Sequence, residues 1–232
     1  MLDVTLYHHR ECLRAVARFG QGESGTGAAQ RSAYSRWPEQ VEKGNGVSMK
    51  ILGVSGSIRK KSFNRGLLRA ASGVAPEGVE IELYDVAGIE PYNNDVENVA
   101  TPASVEAFKS AIAEADALLI ACPEYNGSFT GVLKNAIDWA SRPVSSTPLM
   151  GKPTAMVGAS GGPSGTARAQ AALLPVLMGC GAVVMPKPGV MVRNSASLFD
   201  DEVNLTDQDT KDRLRQQVEA LAVFAGKLNG PA

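Results

Sequence analysis

The sequence predicts one α/β domain built on a parallel sheet of five strands with helices on both faces. Unbroken apolar runs at residues 50–54 and 117–122 are typical of strands that are buried on both sides. Segments with helical spacing of apolar residues alternate with the five predicted strands. This alternation implies crossover connections and a parallel sheet, whose ligands bind beyond the carboxyl ends of the strands.

Each predicted strand has its own signal. The first apolar run stops at Ser55-Gly56-Ser57. The second predicted strand alternates apolar and polar side chains, as a strand with one less protected face does. The last two are short apolar runs. The predicted strands cover residues 50–54, 79–83, 117–122, 154–158 and 182–185.

The helices are predicted from apolar spacing and from their end signals. The second begins at Thr101-Pro102, because proline suits the first helical position. The last takes Thr206 as its N-cap and ends at Gly230-Pro231. The five predicted helices run through residues 67–74, 101–115, about 130–140, about 165–178 and 206–230.

Composition and charge exclude several classes of function. The 232 residues include 23 Lys and Arg against 24 Asp and Glu, a formal net charge of −1. This balance gives no electrostatic reason to expect a nucleic acid or an anionic membrane as partner. The longest apolar stretch, residues 176–185, has about half the roughly 20 residues of a membrane-spanning helix. The sequence therefore predicts an ordinary globular protein without a membrane span.

Histidine and cysteine usage narrows the chemistry. Both histidines, His8 and His9, lie in the first ten residues, so a catalytic body beyond them lacks imidazole for triad hydrolysis or a common zinc site. Cys12, Cys122 and Cys180 are scattered singly, which argues against a disulfide framework and against a metal site of cysteine ligands. Such cysteine usage predicts a cytoplasmic location. We interpret Cys122 and Cys180 as packing residues. An enzyme of this composition needs a bound cofactor to carry the chemistry.

Residues 1–48 differ in character from the rest of the chain. They combine six glycines between positions 20 and 46 with Ser, Gln and Glu, and they show no sustained period. No apolar stretch of the length of a secretory signal occurs near the start. We predict a disordered extension over residues 1–48, with Met49 as an alternative start, and a folded domain over residues 49–232.

The segment after the first strand, residues 53–64, combines polar donors with a helix start. Hydroxyl, guanidinium and amide groups join the free N–H groups and positive dipole end of the helix, which suits a phosphate dianion. The G-x-x-x-x-G-K-[ST] and G-x-G-x-x-G motifs are absent, so the terminal phosphate of a mononucleotide fits better than a triphosphate or a dinucleotide. The alternative is a capped helix with a solvated Arg-Lys-Lys run. The candidate phosphate ligands are Ser57, Arg59, Ser62 and Asn64.

Three ordered motifs follow three of the predicted strands. They are Gly56-Ser-x-Arg-x-x-Ser-x-Asn64, the segment 123–139 that opens Pro-Glu-Tyr-Asn-Gly, and the segment 151–170 that contains Ser160-Gly-Gly and Arg168-Ala-Gln. Together they resemble the NADPH-dependent FMN reductase family, which includes quinone and chromate reductases, over residues 49–228. The resemblance implies a flavodoxin-like three-layer fold with strand order 2-1-3-4-5, FMN as cofactor, and NADPH or NADH as co-substrate.

The resemblance also assigns the residues that line the flavin ring. They are Pro123, Glu124, Tyr125, Asn126, Gly127, Ser160 and Gly161. Tyr125 forms an aromatic wall in this interpretation, or else packs on the protein body or a partner subunit. We do not assign Glu124 as a general acid, because hydride passes directly from nicotinamide to flavin N5 and needs no proton from the protein at that step. A role in which Glu124 forms a salt bridge or accepts backbone hydrogen bonds is favoured. Arg168 is expected to anchor structure or to meet the second nucleotide.

The sequence therefore predicts an enzyme that takes a hydride from NAD(P)H onto FMN and then reduces a second, small-molecule acceptor, in ping-pong order. By resemblance the acceptor is a quinone, free flavin, an azo compound or a chromate-like oxyanion, and a site of backbone and small residues discriminates poorly among them. The alternative is a non-enzymatic flavodoxin-type carrier, which needs an acidic surface. From Met49 onward, 17 Lys and Arg against 19 Asp and Glu give only −2. A flavin-free domain with the same fold is a third hypothesis.

The predicted helix at residues 130–140 has a broad apolar face. Its members are Val132, Leu133, Ala136, Ile137 and Ala140, with Trp139 close by. A face of this width serves a core, and the equivalent region of the family contributes to a homodimer whose interface borders the flavin. We therefore expect a homodimer or a homotetramer.

Overall fold

The computed structural model describes residues 49–230, so the extension predicted for residues 1–48 lies outside the described residues. Strands and helices alternate along the chain as the sequence predicts, with two differences: a short helix that was not predicted precedes the second predicted helix, and two short strands replace the fifth predicted strand. Their bounds are β1 (Met49–Ser55), α1 (Phe63–Gly73), β2 (Val79–Asp85), α2 (Asn94–Glu97), α3 (Ala103–Glu114), β3 (Ala117–Ala121), α4 (Gly131–Ala140), β4 (Pro153–Ala159), α5 (Ala167–Gly179), β5 (Val183–Val184), β6 (Val190–Val192) and α6 (Gln208–Asn229). None of the helices in residues 49–230 has the length and apolarity that crossing a bilayer requires.

The strands form one parallel sheet in the order β2-β1-β3-β4-β5, which confirms the predicted strand order. The fifth position differs in detail, because two short strands share it. β5 pairs with the start of β4 (Val183 opposite Pro153), and β6 pairs with its end (Val190 opposite Val157). The intervening Met-Pro-Lys-Pro-Gly, residues 185–189, interrupts the strand because proline has no N–H for the ladder.

Both faces of the sheet are covered by helices, and each face has its own core. Successive residues of β1 alternate between the cores: Ile51 packs with α1 and α6, and Leu52 packs with α3, α4 and α5. This double burial explains the unbroken apolar runs of β1 and β3. The apolar face predicted for α4 lies in the second core, where Leu133 and Ala136 are fully buried. That face is therefore used within the protomer.

The start of α6 corrects the predicted N-cap. The Asp207 carboxylate, and not the Thr206 hydroxyl, accepts the backbone N–H of Thr210, at 2.8 Å. The Thr206 hydroxyl instead donates to the carbonyl oxygen of Leu198, at 3.0 Å. Both residue types are good N-caps, so the sequence alone does not select between two neighbours.

Candidate functional site

Three loops lie side by side at the carboxyl edge of the sheet. In the strand register, Ser55 at the end of β1 pairs with Ala121 at the end of β3, and Ala121 pairs with Val157 near the end of β4. We call the loops that follow these strands the phosphate loop (residues 56–62), the hairpin loop (residues 123–130) and the glycine loop (residues 160–166). All of the predicted site residues except Asn64 lie on these three loops, and Asn64 lies on α1 directly after the first.

The phosphate loop and the hairpin loop are in direct contact at Gly56. Its N–H donates to the carbonyl oxygen of Ala121 at 2.8 Å, and its carbonyl oxygen accepts the Thr130 hydroxyl at 2.6 Å. Thr130 also accepts the N–H of Leu133, so it caps α4 while it binds the phosphate loop. A Cβ on Gly56 would lie 2.8 Å from Cδ of Pro123, so only glycine lets the two loops pass this closely.

The phosphate loop leads directly into the N-terminus of α1. Ser57 and Ser62 are both buried, and the Ser62 hydroxyl makes no capping bond to the helix. The N–H groups of Phe63, Asn64 and Arg65 have no acceptor within residues 49–230. Free helical N–H groups beside a free hydroxyl are the arrangement that the predicted phosphate site at this loop requires.

The cations of the phosphate loop lie at the surface. The Arg59 guanidinium is exposed and donates to the carbonyl oxygen of Lys61 at 3.2 Å. The Lys61 ammonium donates to the carbonyl oxygen of Asp201, also at 3.2 Å. Neither cation forms an ion pair with a carboxylate of the described residues, so both contribute positive potential at the mouth of the loop.

Asn64 is placed differently from the other predicted phosphate ligands. Its side chain is buried between α1 and β4, where its Nδ2 donates to the carbonyl oxygen of Ala159 at 2.9 Å. Its Oδ1 accepts the N–H of the same residue at 3.0 Å. The amide thus forms a reciprocal pair with the last residue of β4, and its second N–H is the one side-chain donor left for another partner.

The hairpin loop contains a tight turn with an aromatic side chain beside it. Tyr125 and Ser128 exchange backbone hydrogen bonds of 2.9 and 3.0 Å. Asn126 and Gly127 between them have φ of 53° and 77°, the positive pair that a type I′ turn requires. Tyr125 is 52% exposed, so it does not pack into the described part of its own protomer. The side chain is available as a wall of the site.

Glu124 connects the hairpin loop to α5. Its carboxylate accepts the N–H groups of Arg168 and Ala169 at 3.1 and 3.2 Å, and Nε of Arg168 at 2.7 Å. Burial opposes ionisation of Glu124, but hydrogen bonds from the Arg168 side chain and from the Ala169 N–H outweigh it and hold its pKa below the usual value. The structure thus gives Glu124 the salt-bridging, backbone-accepting role favoured by the sequence, and gives Arg168 the anchoring role.

The glycine loop is held by the last residue of β6 and by the segment that follows this strand. The N–H of Ser160 donates to the carbonyl oxygen of Val192 at 3.0 Å, and its carbonyl oxygen accepts both the N–H and the hydroxyl of buried Ser195. By contrast, a Cβ on Gly161 would meet no atom of residues 49–230 within 4 Å. The loop is therefore fixed at Ser160 by these hydrogen bonds, while the space next to Gly161 is open.

Two of these supporting residues, Thr130 and Ser195, were not among the predicted site residues. Thr130 could have been found, because it stands at an N-cap position within the motif of residues 123–139. Ser195 has no comparable local signal, since its role depends on Ser160, 35 residues away.

Comparisons with known proteins agree with this geometry. A family model described as NADPH-dependent FMN reductase matches residues 49–197. An NAD(P)H-dependent FMN reductase of Pseudomonas aeruginosa is 46% identical over 182 residues, which cover 78% of this chain and 98% of that protein. An NAD(P)H:quinone oxidoreductase of Solanum tuberosum is 43% identical over 188 residues, covering 78% and 95%.

A solved structure gives the same result. FerB, a flavoenzyme NAD(P)H:(acceptor) oxidoreductase from Paracoccus denitrificans, superposes with a TM-score of 0.71 at 35% identity, covering 77% of this chain and 98% of that one. Fold, loops and comparisons define an FMN-dependent NAD(P)H oxidoreductase. The chain belongs to the NADPH-dependent FMN reductase family.

The described residues fit FMN on structural grounds as well. The first turn of α1 offers three N–H groups without acceptors in residues 49–230, as a phosphate requires. In the hairpin loop, the N–H groups of Asn126 and Gly127 likewise have no acceptor in this range. The open space above Gly161 permits a flat ring to approach the backbone.

Proposed function

We propose that the protein is an NAD(P)H:quinone oxidoreductase that binds FMN across the three loops and accepts other small oxidants in the same site. The observation that carries this proposal is the contact of the phosphate loop with the hairpin loop at Gly56, which joins the loop that leads into α1 to the loop that carries the exposed Tyr125. The relatives include several named quinone reductases, which supports quinones as the acceptor class.

The phosphate is held by Ser57, Ser62 and the N–H groups at the start of α1. Ser62 supplies a buried hydroxyl that is not used as a helix cap. Arg59 is exposed and able to close over the phosphate, since only one carbonyl oxygen occupies its guanidinium. The helix dipole adds a favourable field for a dianion.

The ring lies between the hairpin loop and the glycine loop. When bound, FMN supplies a two-electron carrier that accepts a hydride from NAD(P)H and reduces a second substrate. The N–H groups of Asn126 and Gly127 bind the pyrimidine edge and stabilise negative charge there. Pro123 and Ser160 fix the two loop starts, and Gly161 allows contact with the ring without a side chain in between.

The acceptor binds against exposed apolar side chains of the same edge. Ile58 in the phosphate loop is 51% exposed, and Tyr125 in the hairpin loop is comparably exposed. Two apolar walls suit a flat, uncharged quinone better than a charged protein partner. NAD(P)H and the quinone use this surface in turn, which is a ping-pong order of reaction.

Addition of NADPH to the FMN-loaded protein without oxygen tests the proposal. We expect the yellow colour to bleach within seconds and to return on addition of benzoquinone. Double-reciprocal plots of steady-state rate against NADPH concentration, at several fixed quinone concentrations, should give parallel lines. Persistent colour would support an electron carrier instead. Failure of the protein to take up FMN at all would support a flavin-free domain.

We also propose a homodimer, which the family resemblance supports. Because the apolar face of α4 is buried within the protomer, other surfaces must form the contact. Met150 and Met178 both have exposed side chains; that of Met150 lies against Gly181, whose N–H donates to the carbonyl oxygen of Met178. Light scattering over a hundredfold dilution should report twice the protomer mass, and Met150→Glu should lower it; a constant protomer mass would overturn the proposal.

We propose a cytoplasmic location on the basis of the thiols. Cys122 and Cys180, the cysteines within residues 49–230, are both free thiols. Unpaired thiols are usual in a reducing compartment. Cell fractionation followed by immunodetection tests this assignment, and recovery outside the cytoplasmic fraction would contradict it.

A further inference from the structure

The reciprocal hydrogen bonds between Asn64 and Ala159 connect two parts of the site that are 95 residues apart in sequence. Asn64 lies in the first turn of α1, next to the N–H groups of the phosphate site. Ala159 is the last residue of β4 and comes directly before Ser160 and Gly161 of the glycine loop. The Asn64 side chain therefore connects the start of the glycine loop to the first turn of α1, which follows the phosphate loop.

The amide of Asn64 stands where a neighbouring strand would otherwise pair with β4. The pairing of β3 with β4 ends at Val157, two residues before Ala159. Beyond that point Asn64 accepts from the N–H of Ala159 and donates to its carbonyl oxygen, as a strand neighbour does. Ala159 is only 4% exposed, so water does not easily replace these bonds.

We propose that Asn64 is a positioning residue, which acts on the flavin ring through Ala159 and the glycine loop rather than on the phosphate. This inference rests on the proposed function, because it needs a flavin across the three loops. It reassigns a residue that the sequence placed among the phosphate ligands. The remaining N–H of the amide is the only side-chain group of Asn64 through which it could contact a phosphate.

Comparison of FMN with riboflavin, which lacks the phosphate, separates the two roles. In the full-length protein freed of flavin, Asn64→Ala is titrated with each compound by fluorescence quenching. We expect the affinities for FMN and riboflavin to fall by the same factor, about tenfold, because the ring site is displaced. Ser62→Ala is the matched control, since it removes a phosphate contact and should weaken FMN alone. Loss of FMN affinity with unchanged riboflavin affinity in Asn64→Ala would overturn the inference.

The midpoint potential of bound FMN provides a second readout. Displacement of the glycine loop changes the surroundings of the ring, so we expect the potential of FMN in Asn64→Ala to differ from wild type. The potential in Ser62→Ala should stay at the wild-type value, because the phosphate is remote from the ring. An unchanged potential in both variants would contradict a positioning role for Asn64.

A third variant covers the case in which Asn64→Ala does not fold. Asn64→Asp keeps an acceptor for the N–H of Ala159 but has no N–H to donate to its carbonyl oxygen. Riboflavin carries no phosphate charge that the new carboxylate could repel, so its affinity reports on the ring site alone. A lower riboflavin affinity of Asn64→Asp supports the inference. A riboflavin affinity equal to that of the wild-type protein overturns it. If the wild-type protein bound no flavin, the proposed function itself would fail, which is a separate outcome.

Discussion

The carboxylate of Glu124, on the loop after β3, accepts the backbone N–H groups of Arg168 and Ala169 in the first turn of α5. It therefore caps a helix that begins more than 40 residues further along the chain. Thr166, the residue before this helix, makes no capping bond of its own. Because a carboxylate at a helix N-terminus also interacts favourably with the helix dipole, one side chain stabilises α5 and fixes the start of the hairpin loop.

Glu124→Gln should lower the free energy of unfolding by about 1–2 kcal/mol at neutral pH, because a neutral amide accepts weaker hydrogen bonds than a carboxylate. Folding lowers the pKa of Glu124, so its contribution is present above the usual value of 4.5 and is lost as the pH falls through the folded pKa. The measurement is urea unfolding of wild type and variant from pH 7 down to pH 3. The two curves should converge in acid. Glu219→Gln, at an exposed position of α6, is the control, and an equal loss there would contradict the prediction.

Gly56→Ala should destabilise the protein by about 1–3 kcal/mol and weaken FMN binding. The new methyl group would lie 2.8 Å from Cδ of Pro123 and 3.1 Å from the carbonyl oxygen of Ala121, so the two loops must separate. Thermal unfolding and flavin titration measure the two effects. Gly73→Ala is the matched control, because its methyl group meets no atom within 4 Å in the part of the chain that the structure describes. Equal behaviour of the two variants would show that the loop contact at Gly56 is unimportant.

Gly161→Ala should leave the free energy of unfolding unchanged but lower FMN affinity about tenfold. Within the described residues the added methyl group meets nothing within 4 Å, so only a ligand above the loop can clash with it. Differential scanning fluorimetry and flavin titration provide the two measurements. Gly73→Ala, at the end of α1 opposite to the phosphate loop, also adds a methyl group that meets no atom of the described residues within 4 Å and should not lower FMN affinity. Wild-type FMN affinity in Gly161→Ala would place the ring elsewhere.

Cys122 should resist alkylation in the native protein. Burial, with a smaller effect of the nearby Glu124 charge, raises the pKa of its thiol to about 12, so almost no reactive thiolate forms at pH 8. Iodoacetamide treatment followed by peptide mass analysis should find Cys122 unmodified in buffer and modified in urea. Modification of native Cys122 at the rate of an exposed thiol would contradict the burial on which the prediction depends.

The fold was predictable where its signals are local. β1 and β3 are buried on both faces, so their apolar runs alone locate them within about two residues of their observed ends. β6 was not predicted, because three residues carry too little periodicity and the strand exists only through its pairing with β4. The N-cap of α6 was predicted one residue too early for a similar reason. The Thr206 hydroxyl donates to the carbonyl oxygen of Leu198, a contact with a residue outside α6 that the local sequence does not indicate.

For the site, the residue types were predictable but their individual partners were not. The spacing from Gly56 to Asn64 indicates a loop that enters a helix, and the structure brings those residues together. The sequence contains no sign that the Asn64 amide is matched to Ala159 on another strand. The same holds for Glu124, whose general role as an acceptor was foreseen while its contact with α5 required the packed fold.

The division of the fifth strand into β5 and β6 has a consequence for behaviour at high concentration. A long, straight outer strand offers a row of unused N–H and C=O groups onto which another chain can add. Here the outer strand consists of the two residues of β5 and the three residues of β6, separated by a segment that contains Pro186 and Pro188. Neither piece is long enough to template a foreign strand, so this side of the molecule is protected against aggregation into stacked sheets.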